Sequence, residues 1–424
     1  MGKDPQADPV SRLEPDLESQ GPHWPNTFRA LRHRNFRLYW SGQIVSQIGS
    51  WMQVVALGWL VYRLTDSPLM LGLVNFVGLV PVVPVSLLAG VISDWLPRRN
   101  LIILTEIVLA SQAIVLAVLT WLGLVQVWHV VILSFVLGAA AALEQPVRLA
   151  FVVDTVGRED LTNAIALNSS VYNIARIVGP AIAGVLVAWA GEAGCFFING
   201  VTYLAVVLAL LAIRLPPHSK PEGRLQLASG LADGLKYAWN TKILRSLLII
   251  VAASSFFTLP YITLMPAFAR DVLEAGPEGL GFLMTAVGLG AIGGALFVAN
   301  IRAGRRGRWL MLGNVMGPAF LVTFCLSQSF VFSLALVALV GTSNAIRQIL
   351  ANSLLQLSAS EEYHGRVMSI FNLLFNGMAR AGALGVGAVA EFTGAPLALG
   401  ASAALSLVFG VAIVWGMPEV AQLS

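Results

Sequence analysis

Residues 168–184 read NSSVYNIARIVGPAIAG. They lie in an apolar run, about 164–190, that is long enough to cross a bilayer. Yet Asn168, Tyr172, Asn173 and Arg176 interrupt it before a Gly179–Pro180 pair. An arginine in hydrocarbon costs roughly 3 kcal/mol on insertion scales. Arg176 is therefore expected to face protein or a water-filled cavity, not lipid. The pattern recurs at residues 372–388, NLLFNGMARAGALGVGA, which carry Asn372, Asn376 and Arg380. In both runs an Asn stands eight positions before the Arg of an Ala-Arg pair.

Composition extends this reading to the whole chain. Of 424 residues, 57% are hydrophobic and 11% charged, where a soluble chain carries about 25% charged residues. Mean hydropathy is +0.77. The apolar runs are continuous, not alternating, which excludes a β-barrel and indicates a polytopic, all-α integral membrane protein. Net charge is +4 and the pI about 9.3. Its basic residues gather between apolar runs, so the balance reads as membrane orientation and no nucleic-acid partner is expected. Cys195 and Cys325 fall inside apolar runs and read as packing residues. No soluble domain, nucleotide-binding loop or metal cluster is visible. That argues against an enzyme, a cofactor, a metal site or ATP-driven transport.

Residues 1–37 read as a polar tail followed by a basic amphipathic segment, Phe28–Arg37, without a cleavable leader. Six spans are expected in 38–213, near 38–62, 69–92, 101–122, 128–150, 164–190 and 195–213. A central loop, 214–245, follows, and then six more spans in 246–416, near 246–269, 279–301, 309–326, 330–351, 367–390 and 397–416. Residues 417–424 form a tail. Lys and Arg gather before span one, after spans two and eight, in the central loop and before span eleven. By the positive-inside rule both termini are cytoplasmic and the chain lies in the cytoplasmic (inner) membrane. Within the central loop, residues 225–239 fit an amphipathic surface helix, either a tether or a regulatory element.

Twelve spans, six and six, suggest two pseudo-symmetric six-helix bundles. Pro68–Gly72 resembles Pro277–Gly281, Arg148 corresponds to Arg347, and Asn168/Arg176 correspond to Asn372/Arg380. The loop after span two, Gly90-Val-Ile-Ser-Asp94-Trp-Leu-Pro-Arg98-Arg99, resembles the signature of the major facilitator superfamily, Gly-x-Leu-Ala-Asp-Arg-x-Gly-Arg-Arg/Lys. Gly90, Asp94, Arg98 and Arg99 match; Trp95 and Pro97 depart from it. The resemblance implies a loop that latches the bundles in the outward-open state. Gly179, Pro180 and Gly184 resemble the superfamily's antiporter motif, with Ala at other glycine positions. Read without the family, the same residues make a kinked, tightly packed helix. From Pro146/Arg148 through Asn163/Ala164, Leu167/Asn168 and Ala175/Arg176 to Gly179/Pro180, the chain is similar to the enterobactin-exporter-like and drug-efflux branch. That resemblance implies alternating-access export of a small organic molecule, siderophore-like or drug-like, against protons.

Candidate substrate contacts are Gln43, Gln47, Asn168, Tyr172, Arg176, Asn372, Asn376 and Arg380. Gln43, Ser46, Gln47, Ser50 and Gln53 share one face of span one, lining either a cavity or a polar helix contact. Arg176 lies about 18 Å into its span at 1.5 Å per residue. No carboxylate is evident at that depth, so Arg176 and Arg380 are expected to bind an anionic or acceptor-rich substrate. The alternative is neutralisation by carbonyls and water near an unwound Gly179–Pro180. Gly90, Asp94, Arg98, Arg99, Glu106, Glu144, Arg148, Gly179 and Pro180 are the candidate gating and coupling residues. Glu144 and Arg148 pair at i, i+4, and with Asp94 and Glu106 form an inner charge cluster, first a conformational latch and second a proton site. The proton-carrying residue is unassigned. The chain is expected to act as a monomer. An uptake symporter, a lysophospholipid flippase or a non-transporting receptor on the same fold are the alternatives.

Overall fold

A bilayer offers backbone N–H and C=O groups no water, so apolar runs become helices that satisfy them internally. The computed structural model describes residues 26–82, 84–86, 88, 92, 96–214, 228–301, 304–421 and 423. Gly90 and Asp94 lie outside these. Among the described residues, nine helices are long and apolar enough to cross a membrane. The elements in order are α1 (Arg34–Thr65), α2 (Pro68–Val77), α3 (Arg98–Trp121), α4 (Val127–Val156), α5 (Leu161–Ala212), α6 (Ala228–Asn240) and α7 (Lys242–Phe257). Then come α8 (Tyr261–Ala267), α9 (Gly276–Ala299), α10 (Arg306–Cys325), α11 (Phe330–Ser358), α12 (His364–Thr393), α13 (Ala395–Gly416) and α14 (Pro418–Ala421). Residues Lys242–Val272, including α7 and α8, count together as one of the nine.

The 52 residues of α5 would form a rod of about 78 Å, against a hydrocarbon core of about 30 Å. The helix instead doubles back. Gly191 sits at φ 72°, ψ 175°, a backbone region open to glycine. Just beyond it, the Cys195 thiol donates to the Ala183 carbonyl at 3.9 Å. Along a continuous helix those residues would be about 18 Å apart. Two arms result, 161–190 and 192–212, where the sequence places spans five and six. Twelve crossings is thus the sequence's count. Nine apolar helices, with α5 folded into two arms, is the count among the described residues. Pro68–Val77 is shorter than a crossing, and α10 starts on Arg306 and Arg308.

The two halves meet through small residues, because lipid leaves helices little hydrophobic reason to associate and close backbone packing must supply the contact. A Cβ at Gly281 of α9 would lie 2.6 Å from the Pro180 carbonyl oxygen and 2.8 Å from Gly184 Cα on α5. A Cβ at Gly72 of α2 would lie 2.5 Å from the Ala383 oxygen on α12, and one at Gly387 2.7 Å from the Pro68 oxygen. Polar ties reinforce this end. Arg270 pairs with Asp66 at 2.6 Å, the Tyr62 hydroxyl donates to Asp271, and the Ser67 hydroxyl donates to Glu391 at 2.6 Å. Toward the opposite end of the same helices, Tyr172 is 49% and Leu373 47% exposed. Asn372 and Asn376 are exposed as well. The molecule is closed at the end bearing Asp66 and Glu391, and open at the end bearing the N-terminal segment.

That N-terminal segment, the 3-10 helix Asn26–Arg32, docks on the start of α5. The buried Asp160 carboxylate pairs with Arg29, with Arg32 at 2.9 Å and with His33 at 2.7 Å. Asn163 accepts from the Ala30 amide at 2.9 Å and donates to the Thr27 oxygen at 3.0 Å. Burial raises the Asp160 pKa, but hydrogen bonds from His33 and Arg29 and the charges of Arg32 and Arg29 outweigh it, so the net shift is downward. A carboxylate with a depressed pKa stabilises the folded state above its ordinary range, and that contribution is lost as pH falls through the depressed value. Asp160→Asn is therefore expected to free this segment at neutral pH, seen as several-fold faster tryptic cleavage at Arg29 and Arg32. Wild-type protein should release it only in acid below the ordinary Asp value of 3.8.

At the same end, α6 covers most of the expected surface helix. Tyr237 stacks on Tyr363 with ring centroids 4.4 Å apart, so α6 is bound to the start of α12. Residues expected as a tail form α14, tied back by Lys242–Glu419 at 3.2 Å.

Candidate functional site

The polar stripe of α1 turns into the first half. Gln43 donates to Glu106 at 3.4 Å, Ser50 meets the Tyr203 hydroxyl at 3.1 Å, and Gln53 donates to Gln112 at 3.0 Å. Asn199 donates to Gln53 at 2.5 Å. Of the two readings the sequence leaves open, these residues make the interhelical contact, while Gln47 is half-buried beside them.

The charge cluster forms around Arg148, whose Nε lies 3.1 Å from Glu144 and 3.1 Å from the Tyr39 hydroxyl. Glu106 is 1% and Glu144 4% exposed. Arg98 and Arg99 stay within the first half. Arg98 donates to both Asp154 oxygens, at 2.8 and 3.0 Å, and Arg99 donates to the Leu210 carbonyl at 2.7 Å.

Between the halves is a cavity of about 260 Å³, walled mainly by apolar groups, with Asn75, Ser134 and Thr263 among its polar members. Arg380 is the one charged residue in its described lining. Arg176, half-buried, has a buried Nε without a hydrogen-bond partner. Neighbouring Tyr172 packs edge-on against Trp51, centroids 5.7 Å apart. The backbone here differs from the unwound Gly-Pro that one sequence reading invokes, because α5 keeps helical angles through Gly179 and Pro180. Proline removes one N–H, freeing the carbonyl four residues earlier, which is that of Arg176. Glycine at 288 lets α9 approach that oxygen, since a Cβ there would lie 3.1 Å from it. Gly179 in turn admits α1, with a virtual Cβ 2.5 Å from Trp51 Cβ and 2.9 Å from the Ile48 oxygen.

Arg347 is a member that sequence reasoning passed over. It is 3% exposed, its Nη1 lacks a partner, and no described ion pair neutralises it. Tyr261, 1% exposed, stands beside Asn344 and within electrostatic reach of both Arg176 and Arg347. The signal in the sequence is an intramembrane arginine in span ten, the repeat partner of Arg148. The partners are unequal. Arg148 has carboxylates around it; Arg347 has a tyrosine and an amide. The structure thus has Arg380 at the cavity wall and both Arg176 and Arg347 within electrostatic reach of Tyr261. It exposes Asn372 and Asn376 toward the open end and leaves Asn168 half-buried on the same arm as Arg176.

Comparison with known proteins agrees with this architecture. A family model described as transmembrane secretion effector matches residues 25–422. The chain is 26% identical over 386 residues to the multidrug efflux pump Tap of Mycolicibacterium fortuitum, covering 88% of this chain and 93% of the pump. It is 26% identical to the staphyloferrin A transporter of Staphylococcus aureus, covering 72% and 73% of the two chains. A bacterial homologue of the human lysosomal transporter Spinster superposes with a TM-score of 0.70 at 13% identity, covering 95% of this chain and all of that one.

Proposed function

The chain belongs to the transmembrane secretion effector family of the major facilitator superfamily, and on that premise we propose that it exports a small amphiphile carrying an anionic or acceptor-rich group. The observation that carries the reading is an apolar inter-half cavity with Arg380 on its wall, together with Arg176 and Arg347, which have no carboxylate partner among the described residues. Intramembrane charges left unpaired are costly, and they mark substrate pathways. A multidrug efflux pump and a staphyloferrin A transporter among its relatives support export of a small molecule.

In this reading the basic end is cytoplasmic, the protein sits in the inner membrane with both termini inside, and the open cleft faces the cytoplasm. It works as a monomer by alternating access, driven by proton antiport. The test is the full chain in proteoliposomes with a trapped pH dye, offered matched anionic and cationic amphiphiles. The expected result is saturable movement that favours the anionic member, with protons moving the opposite way. Movement of cations alone, protons moving in the same direction as the substrate, or lysophospholipid translocation would overturn it.

A further inference from the structure

Two carboxylates and one guanidinium share the interior of the first half. Arg148 Nε lies 3.1 Å from Glu144 Oε1, and Gln43 Nε2 lies 3.4 Å from Glu106 Oε1. The second oxygen of each carboxylate, Glu106 Oε2 and Glu144 Oε2, is buried and has no hydrogen-bond partner. The two carboxyl groups are within electrostatic reach of each other and of Arg148. Two ionised carboxylates beside one arginine would leave a net negative charge in the membrane interior. Like charges at that range do not both ionise in a water-poor site. One proton answers both faults, since it balances the charge and turns a partnerless buried oxygen into a hydrogen-bond donor.

We propose that Glu106 and Glu144 share one exchangeable proton at neutral pH and are the proton-carrying site of this transporter, an assignment that rests on the antiport reading above. The groups facing the pair come from four elements. Tyr39 and Gln43 project from α1, Glu106 from α3, Glu144 and Arg148 from α4. Tyr203, on the second arm of α5, is also within their electrostatic reach. Among the described neighbours Arg148 is the one cation. The exchangeable proton therefore belongs to the pair as a unit. Other buried acids are accounted for differently, as Glu192 pairs with Arg63 at 2.7 Å and Asp160 holds three basic groups. Among the described residues, the second half has no such carboxylate pair around Arg347. The repeat has diverged into a half that holds a proton and a half that presents bare cations.

The experiment is infrared difference spectroscopy on the full chain in lipid nanodiscs, with Glu106→Gln, Glu144→Gln and wild type compared across pH in water and deuterium oxide. Wild type is expected to show a deuterium-sensitive protonated-carboxyl band at neutral pH. Each variant should lose it, because one carboxylate then remains with one arginine. No band in wild type, or a band that persists in either variant, overturns the assignment. Proteoliposome assays supply the second arm. Substrate-driven proton flux is expected to fall more than tenfold in both variants, and undiminished flux in either also overturns it. Wild-type liposomes that move substrate without protons would overturn the antiport reading and the coupling role built on it. The infrared band would then report separately on whether the proton is there. Monodispersity and substrate binding by each variant distinguish loss of the proton from loss of the fold.

Discussion

Gly281→Leu is expected to open the closed end of the molecule and abolish most transport. At this position a methyl group alone would lie 2.6 Å from the Pro180 oxygen and 2.8 Å from Gly184 Cα. Both are backbone atoms, so no side chain can turn aside, and the helices themselves must separate. Overpacking a tight contact costs about 1–3 kcal/mol, and each 1.4 kcal/mol is a tenfold shift in an equilibrium. The strain falls on the state in which the halves touch there and is relieved in the state in which they part. Alternating access needs both states, so biasing one by tenfold or more stalls the cycle. The ties Arg270–Asp66 and Ser67–Glu391 oppose that separation, so leucine, with a full side chain to place, is the stronger test and alanine the weaker. Spin labels across Gly72 and Ala383 neighbours should report a closed-end distance several ångströms longer, with transport down at least tenfold. Both native cysteines are buried, which keeps background labelling low. Gly293→Ala, where a Cβ meets nothing within 4 Å, is the matched control. Wild-type distances and transport in Gly281→Leu would show that the contact does not gate.

The sequence carried the helices further than it carried their neighbours. Apolar runs at 164–190 and 195–213 located the two arms of α5 to within a few residues, because a hydrocarbon slab selects for length and apolarity directly. Periodicity likewise showed that Gln43, Ser46, Ser50 and Gln53 share a face. It could not show which helix meets that face, and the structure turns it onto Gln112, Asn199 and Tyr203, away from the central cavity. The closed-end ties were not legible at all. Ser67 and Glu391 are 324 positions apart, and neither residue type is unusual at a helix end. Arg347 was visible as an intramembrane arginine, but only the fold reveals that its repeat partner Arg148 has taken the acids and left it without one. The Gly179–Pro180 pair misled in the other direction. Proline suggests unwinding, whereas its fixed φ is compatible with helix, and Gly288 lets a second backbone close on the Arg176 carbonyl that the missing N–H leaves free.

Neutralising the unpaired arginines is expected to weaken substrate recognition by at least tenfold at each of Arg176, Arg347 and Arg380. A hydrogen bond to a charged group is worth about 1.5–3 kcal/mol, equivalent to roughly 10- to 150-fold in affinity. The cavity that Arg380 lines, about 260 Å³, is walled mainly by apolar groups, so few protein donors stand ready to replace it there. Glutamine keeps the length and a hydrogen-bonding head while removing the charge, so the loss should appear as a raised KM for anionic substrates with a smaller change for neutral ones. Lysine at the same positions separates charge from shape, because it restores a point charge but not the planar fork that grips two oxygens at once. If one anionic group is held by Arg176 and Arg347 together around Tyr261, the double substitution will cost less than the sum of the singles, as contacts to a shared partner do. Arg380, on the cavity wall beside Thr263 and Asn75, should combine additively with either if it grips a different part of the substrate. Unchanged kinetics for anionic and neutral substrates in all three glutamine variants, at wild-type expression, would remove these arginines from the binding site. Their charge would then have to be balanced by backbone carbonyls and water alone.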